Sequence, residues 1–409
     1  MNHVRRYSMA LLAYAFAAIM VGTTLPTPMY ALFGDEMHFR VLTTTVIYAT
    51  YAGGVLFALL AFGRWSDVVG RRPVLLGGIA FAVASAVVFL LADSVPELLV
   101  GRVLSGLSAG IFTGTATAAV IEAAPPAARS RAAAVATVAN IGGLGMGPLL
   151  AGILVQYAPR PLDLSFAVHL VLVTLAAVAV LAVPETSSRT GRLGFQRLSI
   201  PPEARQTFVV AALAAFAGFA VTGLFTAVAP SFLAGVLGIT NHALAGVIAC
   251  SIFAASAVTQ VTARTMDPHR AVAVGCAILI VGMVILAMAL HFSSLSALIA
   301  SAVVAGMGQG MSFSRGLAAV SDLTPPDRRA EVSSTYFVVA YVAISLPVIG
   351  EGLAARAWGL QTSGVTFAVA VAVLAAVCLA AIVRRSRRDT DSPSAASHPA
   401  ESPAAQRRP

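Results

Sequence analysis

The chain has 409 residues, 58% of them hydrophobic and only 11% charged, with mean hydropathy +0.87 and a net charge of +9. A soluble domain carries about a quarter of its residues as charged groups, so this composition excludes an ordinary water-soluble protein. The positive charge does not point to a nucleic-acid partner either: all 26 basic residues are arginine, and all but two fall outside the apolar runs, as topology signals do.

Runs of about 20 apolar residues, each able to cross the hydrocarbon as a helix, recur along the whole chain. Twelve spans are predicted: Tyr7–Phe33, Thr43–Phe62, Val74–Ala92, Leu98–Val120, Ala132–Tyr157, Leu164–Val183, Phe208–Leu237, Ala243–Ala263, Ala271–Leu290, Leu295–Val320, Val332–Trp358 and Val365–Val383. If the N-terminus is cytoplasmic, 21 arginines lie on that side, three lie outside (Arg40, Arg160, Arg356) and two lie within spans (Arg102, Arg315). That asymmetry follows the positive-inside rule and places both termini in the cytoplasm. Arg5-Arg6 precedes a long apolar run with no small-residue cleavage site, which reads as an uncleaved first helix.

Span one is interrupted by Leu25-Pro26-Thr27-Pro28, and span seven by Pro230 at nearly the matching place. These prolines either break helices beside a cavity or end them at the membrane surface. The loop after span two reads Gly63-Arg64-Trp65-Ser66-Asp67-Val68-Val69-Gly70-Arg71-Arg72-Pro73, an aspartate and three arginines in one turn with glycines at both ends. Span four carries Arg102 inside the apolar run, a costly placement that marks either a functional site or a side chain reaching back to the surface. Gly106-Leu107-Ser108-Ala109-Gly110 follows; it formally matches a nucleophile elbow and, with His169, an intramembrane serine hydrolase. An unbroken helix lacks the strand–turn–helix that such an elbow needs, and small residues spaced by four also suit helix packing. Span five carries Gly142-Gly143-Leu144-Gly145-Met146-Gly147-Pro148, ending on Gly152.

The second half repeats the first at an offset of 200 positions. Glu122/Asp322, Pro125/Pro325, Pro126/Pro326, Arg129/Arg329, Gly106/Gly306 and Gly110/Gly310 all keep that offset, and so do Arg64/Arg264 and Asp67/Asp267. A duplicated half in an apolar chain is the sequence mark of a transporter whose two bundles rock about a site between them. The chain therefore divides into an N-terminal six-helix bundle (1–184), a polar linker (185–206), a C-terminal six-helix bundle (207–384) and a tail (385–409). The tail is too polar to bury a core and is expected to be disordered, its first arginines resting on anionic lipid.

The loop containing Asp67 resembles the signature between helices two and three of the major facilitator superfamily, with Val68 and Trp65 as departures. Arg102 with Gly106 resembles the span-four motif of its drug:proton antiporters, with Ser105 in place of the usual glutamine. Gly143, Gly147, Pro148 and Gly152 are similar to the antiporter motif of span five, with Ala151 a departure. The resemblance covers residues 1–384. It implies an all-α membrane protein with twelve transmembrane helices in two pseudo-symmetric bundles. It also implies a switch or charge relay made of Gly63, Asp67, Gly70, Arg71, Arg72 and Glu122, with Asp67 leaning on the start of span eleven near Val332 when the inner side closes.

The superfamily's cavity is lined by spans one, four, seven and ten, which suggests Tyr14, Thr23, Phe112, Thr113, Thr117, Phe216, Thr222, Phe225, Gln309 and Phe313 as substrate-facing residues. That set is apolar and aromatic with scattered hydroxyls, so it suits a hydrophobic or amphipathic small molecule. Arg102, Glu351 and His169 are the proton-transfer candidates, with Arg315 a possible partner of Glu351. Expected is a monomeric, proton-coupled exporter in the inner or plasma membrane, with no cofactor, no metal and no enzymatic activity. The rival is a proton-coupled importer of a sugar or organic acid. Cys250, Cys276 and Cys378 lie within spans and read as apolar fillers. A chain without lysine holds no Walker phosphate loop, and no filter or pore ring suggests a channel.

Overall fold

The computed structural model describes residues 2–187, 189 and 194–391, apart from the side chains of 2–6 and 385–391. Twelve long helices cross between two faces: α1 (Asn2–Thr24), α2 (Val41–Phe62), α3 (Arg71–Leu90), α4 (Val95–Ala123), α5 (Arg129–Tyr157), α6 (Pro161–Ala182), α7 (Arg205–Ala227), α8 (His242–Thr262), α9 (Pro268–His291), α10 (Leu295–Asp322), α11 (Arg329–Trp358) and α12 (Leu360–Asp391). All twelve are long and apolar enough to span a membrane. One face collects the arginine-rich loops, and we call the two faces the Arg-rich and the Arg-poor ends.

Each helix carries apolar residues on both its packed and its outward sides, because one side meets protein and the other lipid. Val171, Leu175 and Val178 on α6, and Val369, Val373 and Val377 on α12, form such outward stripes. The proline interruptions fall where expected. α1 stops at Thr24 and the chain passes through a 3-10 turn at Thr27–Met29 into a short helix, Tyr30–Glu36. α7 stops at Ala227 and resumes as Ala229–Gly235. α12 runs on to Asp391, beyond the point where the disordered tail was expected to begin. Arginine is a good helix former, and no proline intervenes before Pro393. Residues 392–409 of the expected tail lie outside the described residues.

The internal repeat is visible as packing. A side chain at Gly106 of α4 would run into the carbonyl oxygen of Tyr51 on α2, at 2.2 Å; one at Gly306 of α10 would meet the carbonyl oxygen of Ile252 on α8, at 2.3 Å. Gly110 against Val55 and Gly310 against Ser256 repeat the relation one turn on. Small residues spaced by four let the two backbones touch, which is how helices associate in lipid.

The two halves are sealed at one end. Toward the Arg-poor end a single apolar core crosses between them, joining Leu25, Ile47 and Val155 to Val221, Phe232 and Ile248. Toward the Arg-rich end the core is divided. Leu12, Phe112 and Val180 belong to an N-terminal cluster, and Phe208, Val332 and Tyr336 to a separate C-terminal one.

Candidate functional site

The loop between α2 and α3 is organised by one guanidinium. Arg71 places Nη1 2.7 Å from Asp67 Oδ1 and donates from the same nitrogen to Ser66 Oγ at 2.6 Å. Its Nη2 and Nε donate to the two carboxylate oxygens of Glu122 at 2.8 and 3.2 Å. Three of the expected relay residues thus meet. Asp67 is half exposed (52%) and bound to Arg71; its carboxylate is not on the start of α11. Glu122 accepts a further bond from Thr186 Oγ1 at 2.9 Å.

The chain just after α6 adds Glu185 to this site, a residue outside the expected set. The Glu185 carboxylate accepts the backbone N–H groups of Arg71 and Arg72, at 2.8 and 3.2 Å, and so caps the start of α3. It also accepts the N–H groups of Thr186 and Ser187, each at 3.0 Å. Gly70 makes this possible. Its φ is +116°, and a Cβ there would sit 2.5 Å from Glu185 Oε2. Arg72 enters the site through its backbone N–H.

Burial alone raises the Glu185 carboxyl, but the four N–H donors outweigh that and hold it below the ordinary glutamate value. The sign follows from linkage. A carboxylate whose folded-state value is depressed contributes stability above its unfolded value, near about 4.3, and loses it as pH falls through the folded value. Glu185→Gln should therefore melt below the parent at pH 7, with the gap closing in more acidic buffer. A gap that stayed constant with pH would show that the charge contributes nothing.

Arg102 does not reach the surface. It is 1% exposed, and its Nη1 donates to the Thr23 carbonyl at 2.6 Å, in the last turn of α1 where carbonyls lack helical partners. Its guanidinium carbon lies 4.8 Å from the ring centre of Tyr51 and 5.6 Å from that of Tyr48. Tyr48 in turn shares a 2.6 Å bond with Thr226 on α7, across the two halves. Among the described residues Nε of Arg102 has no hydrogen-bond partner.

Glycines on two sides of α5 make it a seam. Gly143 and Gly147 face α1: a Cβ at Gly147 would meet the Val21 carbonyl and Thr24 Oγ1, both at 2.3 Å. Gly145 and Gly152 face α8, and Gly246 of α8 approaches the Pro148 carbonyl so closely that a Cβ would lie 2.3 Å from it. Pro148 has no N–H, which leaves the carbonyl of Leu144 without its helical donor. Thr24 Oγ1 supplies the missing bond at 2.7 Å. Gln156 extends the seam by accepting the His242 N–H at 2.9 Å.

The other candidates are scattered. Phe112 (0% exposed) and Phe225 (1%) are packed into cores rather than facing a cavity. Gln309 is buried and accepts from Ser256 Oγ at 2.6 Å, while Thr113 and Thr117 bond back to their own helix. Tyr14 is partly exposed and donates to the Leu172 carbonyl; Phe216 is partly exposed. Phe313 stacks on Tyr336 and meets Phe219 and Phe337 edge-on. His169 is buried with Nε2 3.2 Å from the Ala18 carbonyl, its ring filling the space over Gly22. Ser108 borders the same small buried cavity as His169 but lies within unbroken α4, so no nucleophile elbow exists there. Arg315 donates to the Arg264 carbonyl at 2.8 Å, so it is not the partner of Glu351, whose Oε1 accepts from Ser363 Oγ at 2.7 Å. Asp267, the counterpart of Asp67, caps α9 through the Arg270 N–H at 2.9 Å.

The Major Facilitator Superfamily profile matches residues 10–346, with a second match over 280–408. The chain belongs to the major facilitator superfamily. Multidrug transporter MdfA of Yersinia pestis is 29% identical over 187 residues, 45% of each chain, so the matched region spans under half the length of that relative. Myo-inositol transporter 3C of Cryptococcus neoformans is 31% identical over 115 residues, 27% of this chain and 19% of its own. Among solved structures, a bacterial homolog of the human lysosomal transporter Spinster, inward-facing and unoccupied, superposes with TM-score 0.70 at 17% identity. That alignment covers 96% of this chain and 100% of the other. With twelve candidate spans, the chain is a multi-pass membrane protein of this superfamily.

α2 and α11, which the expected lining omitted, also pack against each other across the two halves. Tyr341 of α11 lies edge-on to Tyr51, with centroids 6.4 Å apart, and Phe337 packs against the apolar clusters of both halves. Their signal was present: Tyr48 and Tyr51 on α2, and Phe337 and Tyr341 on α11, are aromatic pairs three and four positions apart, each on one face of its helix.

Proposed function

We propose that this transporter exports small hydrophobic or amphipathic compounds in exchange for protons, by alternating access between the two halves. The observation that carries the reading is the character of the mid-level residues between the halves. Phe219, Phe313, Phe337, Tyr341, Tyr51 and Tyr14 offer rings with a few hydroxyls, and no carboxylate stands among them. Such a surface favours apolar, adaptable contacts over the dense hydrogen bonding that a sugar demands. The partial likeness to a multidrug transporter and the glycine–proline seam of α5 support the same direction.

In this reading the Arg-rich end faces the cytoplasm, and the protein works as a monomer in the cell's inner or plasma membrane. The units are 1–184 and 207–384, joined by 185–206. Asp67, Arg71 and Glu122, set by Gly63 and Gly70, form the switch that latches the Arg-rich end when it closes. Arg102 couples the end of α1 to α2 and α4. The state described, sealed at the Arg-poor end, then faces inward.

Overexpression is expected to lower cellular accumulation of some dye or antibiotic by severalfold, and adding that compound to energised vesicles should release protons. The second reading is uptake of a polar metabolite, favoured by the partial likeness to a myo-inositol transporter. Increased uptake of a metabolite with no resistance to any compound would replace the export reading with it.

A further inference from the structure

We propose that Glu351 is a proton-operated latch on the Arg-poor mouth, ionised when that mouth is open and neutral when it is sealed. The proposal rests on the alternating-access reading above and adds the group through which pH acts on it.

Glu351 is 3% exposed and sits on α11 seven residues before the helix ends at Trp358. The next residue, Gly352, forms part of the seal: a Cβ there would lie 2.4 Å from Thr45 Oγ1 and 3.2 Å from Leu42 Cα, both on α2 of the other half. Glu351 itself turns the other way, to α12, where Ser363 Oγ stands 2.7 Å from Oε1. Ser363 Oγ also lies 3.1 Å from the Leu360 carbonyl. A hydroxyl has one proton, and both neighbours are acceptors if Glu351 is ionised. The Ser363 proton can serve only one of them at a time, whereas a protonated Glu351 can also donate to Ser363 Oγ and leave that proton for the Leu360 carbonyl.

Among the described residues no counter-charge meets it. α12 carries no charged residue between Leu360 and Arg384, and α7 none after Arg205. α2 presents only Tyr48 and Tyr51, engaged with Thr226 and Arg102, and its preceding Arg40 is exposed. On α10 the charges are Arg315, bonded to the Arg264 carbonyl, and Asp322 at the opposite end. On α11 itself the nearest charge is Arg356, which is exposed; Arg329 and Glu331 lie at the other end, Tyr336 donates to the Ala211 and Phe313 carbonyls, and Tyr341 meets the Tyr51 ring. An ionised carboxylate sealed in this place is costly, whereas a neutral one is satisfied.

When α2 and α11 part at Gly352, water reaches the neighbouring carboxyl, which gives up its proton to that water. The charge must take a proton back from the same face before the seal re-forms. Acid at the Arg-poor face therefore favours the sealed state, and alkali holds the mouth open.

Spin labels at Arg40→Cys and Trp358→Cys, in a chain whose three native cysteines are replaced, span this mouth. Electron–electron distance measurements in lipid nanodiscs at pH 5.5 and 8.5 read its opening without any substrate, so a failed export assay and a failed latch are separate results. The parent is expected to gain at least threefold in its long-distance population at pH 8.5. Glu351→Gln, which keeps the size and the Ser363 bond, should stay short at both pH values. Ser363→Ala should keep a pH response, because the titrating group remains. An unchanged pH response in Glu351→Gln, or none in the parent, overturns the proposal.

Discussion

Asp67→Asn is expected to abolish transport while the protein stays folded in the membrane. In the state described, Arg71 would lose one of its charged partners and keep the two-point bond to Glu122 at 2.8 and 3.2 Å. A half-exposed pair such as Asp67–Arg71 contributes about 0–1 kcal/mol, too little to unfold a twelve-helix protein. The cost arises in the opposite state, where the proposed switch needs a full negative charge at the positive end of α11. Arg71→Ala should be at least as damaging, because it leaves Asp67, Ser66 and Glu122 with no common partner. Neither change disturbs topology, since Arg64 and Arg72 remain in the loop. Both variants should reach the membrane at close to parental amounts by immunoblot, with transport reduced more than tenfold. Near-normal transport by Asp67→Asn would leave the loop a topology signal and no more.

Gly246→Leu is expected to wedge the Arg-poor end open. The Cβ of any residue there would sit 2.3 Å from the Pro148 carbonyl and 3.1 Å from Leu149 Cα, both backbone, so α5 and α8 must separate to admit it. Overpacking of a close contact costs about 1–3 kcal/mol. At about 1.4 kcal/mol per factor of ten, that is enough to shift a balanced two-state carrier to its other state by about tenfold or more. Transport should fall, and a membrane-impermeant thiol reagent should label a cysteine placed at His242 several times faster than in the parent chain. Because the wedge acts on the sealed state alone, the variant should remain monodisperse in detergent. Unchanged labelling with unchanged transport would show that the seam yields without opening the mouth.

Much of this molecule was written locally and could be read from the sequence. Twelve apolar runs become twelve helices because hydrocarbon leaves backbone groups no other partner, and the breaks at Pro26, Pro28 and Pro230 appear where the ring forbids a helix. The 200-residue offset becomes glycine-to-carbonyl packing of α4 on α2 and of α10 on α8, because closeness of that kind needs only the right residue at the right spacing. The grouping of Arg71 with Asp67 and Glu122 was what the family resemblance implied, and the three side chains do meet.

Tertiary structure decided the rest, wherever a role depends on what arrives from a distant helix. Glu185 looks like one more linker carboxylate until it is found on the N–H groups of Arg71 and Arg72, 114 and 113 positions away. Phe112 and Phe225 are on the expected helices, but rotation about the helix axis turns them into cores, and sequence spacing leaves that rotation free. Arg102 and Arg315 look alike as arginines in apolar runs; one is held by Thr23 and two tyrosine rings, the other by a carbonyl near the Arg-rich end. Which end is sealed was likewise beyond the sequence, because two rigid halves with the same internal contacts can tilt either way, and only contacts between them choose.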